Sequence, residues 1–147
     1  MCIRDRCRLG KRAENMIELV SGARRLGREI SAVVGVDRAV QWPLVELQTE
    51  AQMVRLLVRY AATQLDGNHH MEVSDKVSMA NYRANRLVCE AADRAMQVFG
   101  GVGYTRHEPF EHIYRHHRRY RITEGSEEIQ MRKVAAYLFG YAGPKKS

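Results

Sequence analysis

Two long stretches with a 3.6-residue apolar period, separated by one short turn, constrain this chain more than any other feature. Val40, Leu44, Leu47, Ala51, Val54, Leu57, Ala61 and Leu65 recur every three or four residues, which lays a single apolar stripe along about seven turns of helix. Pro43 is compatible with that helix because it lies near its start. Asp66-Gly67-Asn68 then reads as a turn, and a second stripe follows from about Val73 to Phe99 through Val77, Ala80, Ala84, Leu87, Ala91, Ala95 and Val98. Alanine dominates the second stripe, so the two backbones can approach closely.

The remaining segments obey the same period. Leu9, Ala13, Met16, Ile17 and Val20 give one face to a helix from Cys7 to about Arg25, which Gly27 ends, and a loop runs on to Asp37. A short helix is expected near Pro109 to His117. A last one, about Ser126 to Phe139, carries Ile129, Val134, Ala135 and Leu138. No run alternates with period two, and the connections are short. The pattern therefore predicts an all-α, antiparallel four-helix bundle with a short extra helix. Residues 1–6, MCIRDR, enter the first helical pattern without a cap, as a junction, an assembly artefact or the mid-point of a truncated helix would, and are set aside, leaving 7–147 as one domain.

Composition narrows the partners. No stretch reaches the ~18 consecutive apolar residues of a membrane span, and no signal peptide is visible. Cys2, Cys7 and Cys89 are odd in number and lack metal-ligand spacing, which fits reduced thiols in a cytoplasmic protein and predicts no metal site. A net charge of +7 and a pI near 9.6 suit anionic partners: nucleic acid, phosphorylated cofactors or coenzyme A.

The segment Gln97–Gln130, QVFGGVGYTRHEPFEHIYRHHRRYRITEGSEEIQ, concentrates the chemistry. Gly100, Gly101 and Gly103 stop a helical pattern and permit positive φ and close approach to another group, whether a phosphate or a packed neighbour. A dinucleotide fingerprint needs a strand before such glycines; here a helix precedes them, which excludes it. Further on, Ser126 is a good N-cap, and Glu127 and Glu128 occupy the first turn, where carboxylates favour the positive helix end. Glu124 stands just outside that helix, beside a glycine that admits a ligand. A positioned base belongs at such a place.

QVFGGVGY, then Tyr114-Arg115, then ITEGSEEIQ and its helix, in that order and spacing, resemble the C-terminal signature of the acyl-CoA dehydrogenase family of flavoproteins. The likeness is strong from about Ala84 to Gly140 and weaker from Arg12 to Leu65. It implies the same four-helix bundle, preceded in the complete protein by a helical domain and a β domain. It also implies the activity: α,β-dehydrogenation of an acyl-CoA thioester in fatty acid metabolism, with Glu124 removing the α-proton and a hydride passing to FAD. By the same resemblance Gly125 lies against the acyl-CoA, and Ser126 and Glu128 touch the flavin. Gln97, Gly100 and Gly101 contact the adenosine end of a neighbouring subunit's FAD, which makes a homo-oligomer, a dimer or tetramer, part of the site. Electron-transfer flavoprotein is the implied electron acceptor.

The match departs from the family pattern in places. Where an arginine normally stands three residues ahead of a Phe-Gly pair, the pair is Leu26-Gly27 and the spacing lands on Ala23; with a one-residue slip the resemblance offers Arg24 as a substitute for the FAD-pyrophosphate role. Arg38 replaces an expected glutamine, and Thr123 replaces the usual tyrosine before the base. Two other readings compete. YRHHRRYR, Tyr114–Arg121, has the composition of a nucleic-acid patch with stacking residues, against the commoner outcome of a solvated basic face; a bundle kept only for assembly is the third possibility. His112 and His116 stand at i, i+4, but no third ligand on that face supports a metal.

Overall fold

The computed structural model describes residues 11, 38–69, 71–123 and 125–141. Apart from Lys11, the predicted first helix lies outside the described residues, as do Arg24, His70 and Glu124. Within them the chain forms α1 (Arg38–Gly67), α2 (Ser74–Gly103), α3 (Phe110–Arg118), a 3-10 turn (Arg119–Arg121) and α4 (Glu127–Leu138). No strand occurs among the described residues. The second, third and last of the predicted bundle helices and the short extra helix are thus all present, with ends shifted by a few residues.

α1 and α2 each have 30 residues, about 45 Å of helix. Ala51, Val54 and Val58 of α1 are buried against Ala80, Ala84, Leu87 and Val88 of α2. Leu44, near the start of α1, meets Ala95, near the end of α2. Early residues of one helix therefore contact late residues of the other, and the pair is antiparallel. The stripes are the predicted ones, although Val40, Leu47 and Leu57 at their edges stay half-buried. Arg83 reinforces the seam with two hydrogen bonds to Glu50, one of 2.9 Å from Nε. Pro43 falls in the second turn of α1 rather than the first.

α2 is the central helix, packing against α1, α3 and α4. The periodicity shows only its α1 face. The other side buries Ser78, Asn81, Asn85, Cys89 and Ala92, small or polar residues that no hydrophobic stripe reveals. Asn85 Nδ2 donates to Asn81 Oδ1 at 2.9 Å and to the Tyr120 carbonyl at 3.2 Å, tying α2 to the 3-10 turn. Phe110 opens α3 at 1 % exposure, its ring 4.8 Å from that of Phe99. Burying one such ring stabilises the fold by ~2–3 kcal/mol. The outer side of α1 carries exposed Trp42, Val45, Met53, Leu56 and Tyr60.

Candidate functional site

Two groups of predicted site residues lie at different heights along α2. The first is the glycine turn. α2 is interrupted at Gly100, whose φ of 60° and ψ of −145° are accessible to glycine almost alone. The chain then bends back so that a Cβ on Gly103 would stand 2.7 Å from the Phe99 Cβ and 2.9 Å from the Met96 carbonyl oxygen. Gly100 is thus required by backbone conformation and Gly103 by packing. Gly101 differs: its φ is ordinary and a Cβ there would meet nothing within 4 Å. The fold does not require a glycine at that position. Gln97, Gly100 and Gly101 are all exposed.

The second group sits where the 3-10 turn passes into α4. The Thr123 amide donates to the Arg119 carbonyl at 2.9 Å, and its hydroxyl donates to the same oxygen at 3.2 Å. Gly125 has φ +89°, and a Cβ there would lie 2.9 Å from Gln130 Nε2. That amide, on a residue 6 % exposed, donates to the Gly125 carbonyl at 3.4 Å. The positive φ favours glycine, and a side chain there would also have to displace the Gln130 amide. Ser126 occupies the N-cap position of α4, as expected, but makes no side-chain cap bond. Proximity of its hydroxyl instead lowers the pKa of the exposed Glu128 carboxylate.

Glu127 plays a part its sequence position does not reveal. Its carboxylate accepts from Arg121 at 2.8 Å (Nε) and 2.9 Å (Nη2), and from Arg86 at 3.1 Å (Nε) and 3.2 Å (Nη2). The Arg121 bonds, followed by those of Arg86, depress its pKa to about 2. Hydrogen bonds to Glu127 in turn raise both guanidinium pKa values. Burial pushes the neighbouring Cys89 thiol up, against the pull of Arg121. Arg121 and Glu127 flank one short turn, a spacing visible in the sequence; Arg86 lies far away in sequence, and no local signal connects it to them.

From Arg86 to Gln97 is eleven residues of α2, about 16 Å along the axis. The structure therefore does not gather Gln97, Gly100 and Gly101 into one pocket with Gly125, Ser126 and Glu128. A groove of about 860 Å³ between the glycine turn and α3 is lined by Tyr104, Arg106, His107, Glu111, His112 and Arg115, none of them a predicted site residue.

The basic run leaves Arg115 and Arg119 exposed while its other members make contacts within the fold. Tyr114 packs on Ala91 and Ala92, Arg115 pairs with Glu111 at 3.3 Å, and His117 is buried. The Arg119 guanidinium lies 4.9 Å from the Tyr120 ring centre. The His112 and His116 rings stack at 6.0 Å. No cluster of three or more metal-ligating side chains occurs among the described residues. No described helix is long and apolar enough to cross a membrane.

Known proteins place this geometry. Residues 8–139 match the model of the acyl-CoA dehydrogenase C-terminal domain. The acyl-CoA dehydrogenase of Bacillus subtilis is 30% identical over 127 residues, 86% of this chain and 32% of that protein. The caffeyl-CoA reductase-Etf complex subunit CarC of Acetobacterium woodii is 28% identical over 101 residues, 69% of this chain and 26% of that protein. The solved acyl-CoA dehydrogenase of Slackia heliotrinireducens superposes with a TM-score of 0.78 at 24% identity, covering 92% of this chain and 36% of that one. This chain thus spans between about a quarter and about a third of the length of these two curated relatives. With 132 of its residues inside the family model, the chain belongs to the acyl-CoA dehydrogenase family, of which it carries the C-terminal helical domain.

Proposed function

We propose that this domain is the C-terminal part of an FAD-dependent acyl-CoA dehydrogenase, in which Glu124 removes the α-proton of an acyl-CoA thioester. The observation that carries the reading is the connection around Glu124. It stands in sequence between Thr123, held by Arg119, and Gly125, held by Gln130. Gly125 is exposed and carries no side chain, which supports approach of a ligand beside that sequence position.

The family is FAD-dependent, and the residues present fit such a group. Gly101, bare and exposed with no demand from the fold, leaves room for close approach by a group from outside the domain. Gln97, Gly100 and Gly101 would hold the adenosine end, and Ser126 and Glu128 the flavin end. The distance of about 16 Å between these levels of α2 supports assigning the first set to a neighbouring subunit's cofactor, hence a homo-oligomer. When bound, FAD supplies the hydride acceptor.

The domain's own residues supply proton chemistry and positioning. The α-proton of a thioester is weakly acidic, so its abstraction requires donors aimed at the carbonyl oxygen where charge develops, and the backbone N–H of Glu124 serves as one. A carboxylate base is more effective when bound substrate excludes water from around it. Gly125 lets the substrate approach the backbone without a side chain intervening. Electron-transfer flavoprotein is the acceptor proposed for the complete enzyme, supported by the Acetobacterium relative's assignment to an Etf complex.

Glu124→Gln tests the reading directly. In the full-length enzyme it keeps shape and hydrogen bonding but removes the basic oxygen. FAD and acyl-CoA should still bind, while the rate of flavin reduction in stopped flow falls by more than the ~10²–10⁴ typical of assisted proton transfer. Reduction at the wild-type rate would remove Glu124 from the mechanism.

A further inference from the structure

We propose, resting on the Glu124 reading above, that Arg121, Glu127 and Arg86 form a clasp that holds the Ile122–Ser126 connection in register for proton transfer, making all three positioning residues. Arg121 is the last residue of the 3-10 turn and Glu127 the first of α4. Their paired bonds of 2.8 and 2.9 Å close the connection across its own base. Arg86 then ties the closed turn to α2 with bonds of 3.1 and 3.2 Å. Its guanidinium is itself placed by the Tyr82 ring, 5.5 Å away. Both arginines thus meet the same carboxylate in the two-pronged geometry that fixes direction as well as distance.

Stability alone is a weak reason for this arrangement. Two cations on one carboxylate leave an excess positive charge, and the Glu127 side chain is only 10% exposed. Partly buried Arg–Glu–Arg groups can be replaced by apolar residues without loss of stability, as the Arc repressor triad shows. The other side-chain ties are single neutral bonds: Asn85 to the Tyr120 carbonyl at 3.2 Å, Thr123 back to Arg119 at 3.2 Å, and Gln130 to the Gly125 carbonyl at 3.4 Å. The clasp adds four charge-assisted bonds that join the two ends to each other and to α2. A shift of about 1 Å at a reacting group lowers a rate by ~10²-fold.

Glu127→Gln in the full-length, FAD-loaded enzyme removes the charge and keeps the shape. Two measurements follow: hydrogen exchange of the 122–126 amides by mass spectrometry, and the limiting rate of flavin reduction with an acyl-CoA that the wild type oxidises. The clasp predicts amide exchange faster by at least about tenfold in that segment, with α1 and α2 unchanged. It also predicts a limiting rate lower by ~10–100-fold at unaltered acyl-CoA Kd. Glu127→Asp, which keeps the charge, should recover part of the rate. Arg121→Met retains the Arg86–Glu127 pair and serves as the second variant should Glu127→Gln fold poorly; it should reproduce both effects, while Arg86→Met gives a smaller one. Unchanged exchange in both Glu127→Gln and Arg121→Met overturns the clasp, as does faster exchange with an undiminished rate. Glu124→Gln in the same assay separates the two ideas: if it reduces flavin normally, the base assignment fails and exchange alone decides the clasp.

Discussion

Gly125→Ala provides a quantitative test of how the connection into α4 is built. Two independent costs are visible. At φ +89° an alanine pays ~1–2 kcal/mol for left-handed backbone. Its Cβ also stands 2.9 Å from Gln130 Nε2. Gln130 is buried, so its amide can retreat only by giving up its bond to the Gly125 carbonyl, worth ~0.5–1.5 kcal/mol. The sum is a loss of ~1.5–3.5 kcal/mol. Gly140 supplies the control, since it has φ +75° with nothing within 4 Å of a Cβ, so Gly140→Ala carries only the ~1–2 kcal/mol backbone cost. Urea unfolding of wild type, both single variants and Gly125→Ala in a Gln130→Ala background resolves the two contributions. The Gly125 cost should fall by ~0.5–1.5 kcal/mol once Gln130 is shortened. Equal losses at Gly125 and Gly140, with no coupling to Gln130, would show that the amide contact plays no part.

The remaining predictions follow from the same structure. Gly103→Ala should destabilise by ~2–3 kcal/mol because its Cβ meets backbone and Cβ atoms of Met96 and Phe99 that cannot retreat; Gly101→Ala should leave stability within ~0.5 kcal/mol yet weaken FAD retention in the full-length enzyme, as denaturation and flavin absorbance would report. Phe110→Ala removes a ring packed on Phe99 at 4.8 Å and should cost ~3–5 kcal/mol in thermal or urea unfolding. Glu127, depressed from 4.5 to about 2, contributes stability that is fully present above pH 4.5 and lost as the pH falls toward 2. Its contribution is ~1–3 kcal/mol once solvent access to both guanidiniums is allowed for, so the stability gap between wild type and Glu127→Gln should narrow on acidification through that window.

What the sequence determined by itself is what depends on local period and local chemistry. The stripes from Val40 to Leu65 and from Val77 to Val98 are strongly periodic, and they specified two long antiparallel helices because a one-faced helix has to bury that face. The break at Gly100 and the start of α4 after Ser126 were legible for the same reason: glycine conformation and first-turn carboxylates act within a few residues. The family signature named Glu124, whose place in the structure lies outside the described residues, and separated Gln97 with Gly100 and Gly101 from Gly125 with Ser126 and Glu128 only in order along the chain. Tertiary structure decided how far apart those sets lie, since distance along α2 is meaningful only once α4 has docked beside Arg86. It also decided that α2 is central, because its second face is built from Ser78, Asn81, Asn85 and Cys89, which carry no hydrophobic period. Most of all it decided the role of Glu127. By local rules this is one of two interchangeable carboxylates at a helix start, but the 3-10 turn and α2 bring Arg121 and Arg86 to it, while Glu128 beside it remains exposed. Ion pairing depends on distance in space, and that distance follows from helices packing as wholes.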